Sequence, residues 1–416
     1  MNIRGIGFVL PLMLFSAGSL ATQDIRLERT AINIEIPVRV FKGNTFVDNL
    51  TIADFEILED GKSQVVEAAY LVKRTSIKRR EETTPLSPDT NRHFYLVFEM
   101  TEYDSRLREA LNYFIDEVVL PGDELVIVTP MKTYRMKSDK FSDAGREKLL
   151  DQLLGILRRD IQIGSAEYRD LLDDLRALAL TMVGAVGLSS TNAQSAIAAD
   201  PFAAAAVFDV STSVEEQLQT YATLLSRLET MRQVDRAQVT ALADHVRGQS
   251  GRKEIFLFYQ REFVPKLDPM VLSAYQTAFN DRPDIIQTVT GLFGFFRRET
   301  PLDVDPIREA YADSGATVHF LFLTRPAPKV PGVTMQEQSE DIFAPLREMS
   351  RATGGYIAST ADLGTAMKSA VSAAENYYLL YYTPKGYTRD GRFHNVVVRL
   401  KSGDFRVTHR LGYIAD

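Results

Sequence analysis

The chain of 416 residues contains no cysteine. Disulfides are therefore excluded as a source of stability, and so are thiol nucleophiles and Cys-ligated metal centres. Long apolar runs are also missing beyond the first residues, so no segment past the N-terminus reads as a membrane span. Histidine is sparse, with five in all. None is spaced as a zinc pair on a helix, and no H-E-x-x-H occurs. The G-x-S-x-G nucleophile elbow and the G-x-x-x-x-G-K-[ST] phosphate loop are absent too. A basic bias is missing: the formal net charge is −7 and the pI about 5.5. That argues against a nucleic-acid partner.

What is present is an ordinary globular composition, 45% hydrophobic and 25% charged, in a chain long enough for two domains. Residues 1–21 read as a signal peptide. Arg4 gives the positive start, Phe8 to Phe15 is a short apolar core, and Ser19-Leu20-Ala21 fits a small-x-small cleavage site. The expected location is export, periplasmic or secreted. No membrane span is expected once the signal is removed.

Residues 25–74 read as an N-terminal β module. Ile32, Ile34 and Ile36, continued by Val38 and Val40, have the two-residue period of a half-buried strand. Asp60-Gly61 is a strong hairpin turn. Residues 75–91 are polar and contain two prolines, which predicts a linker. Residues 92–374 alternate strands and helices. Apolar runs at Phe94–Phe98, Leu125–Val128, Ile255–Phe258 and Val318–Leu323 predict a parallel, doubly wound sheet. Leu107, Ala110, Leu111, Phe114, Ile115 and Val118 form one helical stripe, with Asp104 or Ser105 as its cap.

A helical elaboration is expected over about residues 141–249. Its last stripe runs from Val214 through Leu228 and on to Val246 as one long helix. This seam suits a helical hairpin within the chain or a coiled-coil partner. Gly184 to Thr212 predicts a long loop whose Phe202 and Phe208 are candidate partner contacts. Residues 375–416 return to β structure. Tyr377, Tyr378, Tyr381 and Tyr382 fit a strand between two packed layers. The next two strands are expected to pair around Lys401-Ser402-Gly403-Asp404. Thr353-Gly354-Gly355 reads as a tight turn rather than a phosphate loop.

The ordered series of phrases resembles one family. "VDNLTIADFEILEDGKSQVV" (Val47–Val66) comes first, then "HFYLVFEMTEY", "GRKEIFLFYQREF", "IREAYADSGATVHFLFL", "LREMSRATGGYIASTADLGTAM" and "NYYLLYYTPKGYTRDGRFHNVVVRLKSGDFRVTHRLGY". Together they resemble the VWFA-related family of bacterial exported proteins, a branch of the von Willebrand factor A domains. The resemblance covers nearly all of the mature chain except the helical block. It implies a Rossmann-like α/β A domain, with a helical insertion, set into a smaller β-sandwich-like module built from N- and C-terminal strands.

The resemblance also implies where a metal-ion-dependent adhesion site would lie. The family motif Asp-x-Ser-x-Ser falls on Glu99-Met100-Thr101-Glu102-Tyr103. Its later Asp falls on Gln260, beside Arg261, and its loop Thr has no counterpart that can be assigned. An ion such as Mg²⁺ needs compact oxygen ligands at about 2.0–2.1 Å. Here Glu99 is a methylene longer than Asp, and Tyr103 and Gln260 replace ligands. The site is therefore read as degenerate, its polar groups capping the helix and pairing with Arg261. A reworked Mg²⁺ or Ca²⁺ site would draw on Glu99, Thr101, Glu102 and Asp104. Partner contacts are expected at Glu99, Thr101, Tyr103, Gln260, Arg261 and Glu262.

The resulting expectation is an exported, non-enzymatic protein-binding or scaffold protein, metal-independent, with a protein partner in the cell envelope or outside the cell. A metal-dependent adhesion module and a cell-envelope hydrolase are the alternatives.

Overall fold

The computed structural model describes residues 32–43, 45–83, 85–137, 143–186, 213–294 and 303–416, without the side chains of 137, 143, 144 and 340–343. Residues 1–21, Phe202 and Phe208 thus lie outside the described residues. Mixed α/β architecture is plain in the order of elements. Strands β1 to β6 are Ile34–Lys42, Thr45–Phe46, Phe55–Glu59, Lys62–Gln64, Ala68–Lys73 and Ser76–Glu82. Then come β7 (Arg92–Glu99), α1 (Leu107–Tyr113), β8 (Glu124–Val128) and β9 (Thr133–Lys137). Four helices follow: α2 (Asp143–Gly164), α3 (Ala166–Ala185), α4 (Val214–Met231) and α5 (Arg236–Arg247). The chain continues as β10 (Arg252–Gln260), β11 (Phe263–Leu267), α6 (Pro269–Ala278), α7 (Pro283–Val289), α8 (Asp305–Asp313), β12 (Ala316–Leu323), β13 (Val333–Glu337) and α9 (Glu340–Ala352). It ends with β14 (Ile357–Thr360), α10 (Leu363–Glu375), β15 (Asn376–Tyr382), β16 (Phe393–Leu400), β17 (Arg406–His409) and β18 (Gly412–Ile414).

The sheet that positions the site has the order β14-β12-β10-β7-β8-β9. All neighbours are parallel except the edge strand β9. The chain steps from β7 outward to β8, then returns to the other side of β7 with β10. The order therefore reverses between β7 and β10. Both faces of the sheet are covered, which is why the central runs Phe94–Phe98, Leu125–Ile127, Ile255–Tyr259 and Phe320–Leu323 are apolar. Phe94, Leu96, Phe98, Phe256 and Phe258 pack with α1, α2 and α10. Tyr95, Val97, Ile255, Leu257 and Tyr259 pack with α5, α8 and α9 on the other face. Each large apolar side chain buried this completely contributes roughly 1.5–3 kcal/mol.

The helical block has a core of its own. Tyr168, Leu171, Leu175, Leu178 and Met182 of α3 meet Leu218, Tyr221, Leu225 and Leu228 of α4. The seam is thus filled within the chain. The single long helix expected from Val214 to Val246 is two helices. The first ends at Arg232, whose guanidinium turns inward to the buried Glu262, with Nε 2.7 Å from Oε2. Asp235 then caps α5, accepting from the Ala237 and Gln238 amides at 2.8 and 3.2 Å.

Strands from both ends of the chain interleave in two antiparallel sheets, β17-β1-β15-β5-β6 and β18-β16-β3-β4. The sheets face one another through β15: the Tyr378 ring lies 5.1 Å from Phe55, and the Tyr382 hydroxyl donates to Glu59 at 2.6 Å. Asp60 and Gly61, at φ 47° and 78°, make the β3–β4 turn, as a two-residue hairpin with both centres left-handed requires. Residues 75–91 are not simply a linker. Ser76–Glu82 is strand β6, with its backbone groups paired to β5. The expected pairing around Lys401–Asp404 does not form as such either. β16 pairs with β3 and β18, whereas β17 crosses to β1 in the other sheet.

Candidate functional site

In open parallel sheets, the crevice at the strands' carboxyl ends, where strand order reverses, is the natural binding position. Here that edge is formed by the loops after β7, β10, β12 and β14. Glu99 ends β7 and Gln260 ends β10, so the structure brings the two expected motifs together. Gln260 is buried, and its side-chain oxygen accepts from the Glu102 amide at 3.1 Å and from the Thr101 hydroxyl at 3.5 Å. The hydroxyl expected to serve an ion is thus turned to a side-chain amide.

Two arginines hold the edge together. Arg106 clamps Asp104 with Nε and Nη2 at 2.9 and 2.6 Å from the two carboxylate oxygens. Its Nη1 reaches the Ala361 carbonyl at 2.7 Å, which ties the β7 loop to the β14 loop. Arg325 pairs with Glu102 and donates through Nε to the Arg261 carbonyl at 2.9 Å, which ties the β12, β7 and β10 loops. Partial burial opposes ionisation of Asp104, but Arg106 outweighs it and holds the carboxyl below its ordinary range. Arg261 takes no part in this pairing. It lies 3.1 Å from Glu337 of β13. The cap position of α1 is Arg106 rather than Asp104 or Ser105, and it makes no side-chain cap bond, but the Asp104 carboxylate accepts from the Arg106 amide at 2.9 Å just ahead of the helix. Glu262 is turned inward to Arg232 and to the Tyr168 hydroxyl at 3.1 Å.

Glu99 is the exception. It has no hydrogen-bonding or ion-pairing partner among the described residues. It keeps solvent contact, yet the packed surroundings of the crevice, and then the like charge of Glu262, push its carboxyl above the usual range. Among the described residues, Glu99, Glu102 and Asp104 do not form a cluster of donors within reach of one ion. Such a cluster does occur at Glu59, Asp60 and His394, in the antiparallel sheets.

Beside this edge lies a cleft of about 440 Å³, lined in part by Glu102, Tyr103, Arg158, Arg169, Phe263 and Arg325. The Arg158 guanidinium sits 4.9 Å from the Tyr103 ring centre. The resemblance drew attention to Tyr103 but not to Arg106, Arg158, Arg169 or Arg325. No sequence signal marked these arginines: Arg158 and Arg325 meet Tyr103 and Glu102 from distant segments, and the nearby partners of Arg106 and Arg169 form no recognisable motif.

No protein-family model matches the chain, and no curated protein does. Among solved structures it is similar to the human COPII-coat protein Sec24c, at 9% identity and a TM-score of 0.30, over 79% of this chain and 44% of that one. The chain therefore spans less than half of that protein's length, and a likeness this slight carries no argument about fold or function.

Proposed function

We propose that the chain is an exported, non-enzymatic protein-binding or scaffold protein of the VWFA-related kind. Its parallel sheet would be a Rossmann-like von Willebrand factor A domain set into the β-sandwich-like module. It binds a protein partner in the cell envelope or outside the cell through the carboxyl edge of that sheet, without a metal ion. One observation carries this reading: protein groups bridge the edge where an ion would otherwise join the loops. Gln260 takes Thr101 and the Glu102 amide, Arg325 takes Glu102, and Arg106 takes Asp104. A fixed, solvent-facing edge of this kind favours recognition by ordinary polar and apolar contacts.

The free Glu99 carboxylate favours one other reading, a metal-dependent adhesion module built on a non-standard site. Thermal unfolding of the mature protein in EDTA, Mg²⁺, Ca²⁺ and Mn²⁺ separates the two. An ion at 100 times its Kd adds about 2.7 kcal/mol if it binds only the folded state. An upward shift abolished by Glu99→Ala overturns the metal-independent reading. The same melting temperature in all four conditions supports it. The partner claim is tested by a photo-crosslinker placed at Tyr103 and, as a control, at Lys62 of the distant β hairpin. Discrete envelope adducts at Tyr103 alone support the reading. Equal labelling, or none at either position, overturns it.

A further inference from the structure

We infer that the cleft beside this edge is a docking site for an acidic, aromatic-containing peptide segment of the partner, an inference that rests on the protein-binding reading above. The cleft presents four arginines, Arg158, Arg169, Arg176 and Arg325, against only two carboxylates, Glu102 and Asp173. It is a local positive site on a chain whose net charge is −7. Two of the cations are already paired, Arg325 with Glu102 and Arg176 with Asp173. The other two have no carboxylate partner among the described residues. Arg158 lies over the Tyr103 ring. Arg169 donates only to main-chain carbonyls, to that of Ser165 at 3.4 Å and to that of Gln162.

Arginine presents a planar fork of donors that matches a carboxylate; among the described residues the Arg158 fork is unclaimed and Arg169 keeps its Nη1 beyond its two main-chain bonds, so the pair selects an anionic ligand. The rest of the lining selects a peptide over a bare anion. Leu172, Phe263, Pro328 and Met335 add apolar surface to the lining, and so does Tyr103. A volume of about 440 Å³ accommodates a few side chains. Nucleic acid is disfavoured because the basic surface is confined to the cleft rather than spread along a face. The arginines lie on α2, on α3 and after β12, so the helical block supplies half of a site that the parallel sheet alone lacks.

The test is selection from a displayed random peptide library on the mature protein, against an Arg158→Ala, Arg169→Ala double variant. Both side chains reach solvent, and an unchanged melting temperature confirms that the variant folds. The expected result is enrichment of Asp and Glu next to an aromatic residue. A selected peptide should bind the double variant about tenfold or more weakly, the loss of at least one charge-assisted contact. Binding should weaken with added salt, and Arg158→Lys should restore part of it. Peptides without acidic enrichment, or equal binding to the variant, overturn the inference. Tighter binding of a labelled single-stranded oligonucleotide than of any peptide does so too. Discrete crosslinking at Tyr103 together with a failed selection removes the acidic-peptide cleft and leaves the protein-binding reading standing. Failure of both removes both.

Discussion

The two ends of the same parallel sheet treat charge in opposite ways. At the amino end, Glu254 of β10 is buried and fully engaged: Arg252 lies 2.5 Å from its Oε1, Arg39 of β1 3.4 Å from the same oxygen, and His319 of β12 2.9 Å from Oε2. Arg39 also donates to the Gly354 carbonyl at 3.3 Å, and the Arg252 guanidinium stacks 4.1 Å over the Tyr377 ring. This network joins the parallel sheet to β1 and β15 of the antiparallel one. Removing Glu254 would strand two buried guanidinium charges. At the carboxyl end, by contrast, the charges are partly exposed, and Glu99, Arg158 and Arg169 keep free capacity. Where the buried cations share one anion, the sheet gains a fixed seam, although the Nε atoms of Arg39 and Arg252 are left without a hydrogen-bond partner among the described residues. Where some charges are left over, it gains a surface able to bind.

The contrast breaks most visibly at Glu254. Glu254→Gln leaves two buried guanidinium groups without their anion, and it is expected to lower unfolding free energy by about 3–5 kcal/mol. A loss under about 1 kcal/mol in chemical denaturation would remove the seam argument. The next effect is pH dependence. Burial pushes the Glu254 carboxyl up, but Arg252, His319 and Arg39 outweigh it and hold it at about 2, against an ordinary 4.5. The unfolded chain therefore binds the proton first. The stabilisation is complete above about 4.5 and is lost as the pH falls towards 2. His319, pushed below its ordinary 6.5 by burial although Glu254 opposes this, acts in the same sense: stability present above 6.5 falls as the pH drops through its folded value. Denaturation across this range should show an acid slope that Glu254→Gln flattens, and an equal slope in the variant would assign the dependence elsewhere.

Smaller effects belong to the carboxyl end. Gln260→Ala removes the acceptor for Thr101 and the Glu102 amide at a buried position. It should cost about 1 kcal/mol and loosen the loop, read as faster amide exchange at Glu102. Unchanged exchange there would show that Gln260 does not hold it. The smallest effect has the opposite sign. Because Glu99 is held above its ordinary pKa, its ionisation opposes folding. That penalty is absent in acid and grows as the pH rises through the raised value. Glu99→Gln should thus raise the melting temperature at neutral pH and leave it unchanged in acid. A lower melting temperature at neutral pH would mean that the free carboxylate has a stabilising partner.

Local patterns were legible where burial is regular. The run Phe94–Phe98 is the core of β7, Asp60-Gly61 is the left-handed turn it resembles, and the tyrosines of β15 are buried on both faces. Gly354 makes a tight turn at φ 71°, and Gly355 lets the backbone approach β12, where a Cβ would meet the Val318 carbonyl oxygen at 1.8 Å. The charged residues of Ser76–Glu82 read as a linker, although the segment alternates in exposure. Its strand character comes from pairing with β5 rather than from its own apolarity. The apolar stripe continues past Arg232, but Arg232 turns inward to Glu262 and Asp235 caps a new helix, so the stripe spans two helices.

The sequence by itself determined the elements whose cause is local: apolar period, turn chemistry and the glycines that tolerate left-handed backbone. It also placed Glu99, Thr101 and Gln260 in motifs that the sheet then brought together. Only the tertiary structure decided which charges are satisfied. Glu102 meets Arg325 across 223 positions, Arg39 meets Glu254 across 215, and β17 crosses to β1 rather than pairing with β16. A side chain's partner depends on which strands lie side by side, and that register is fixed by the packing of the whole core, which no local pattern encodes.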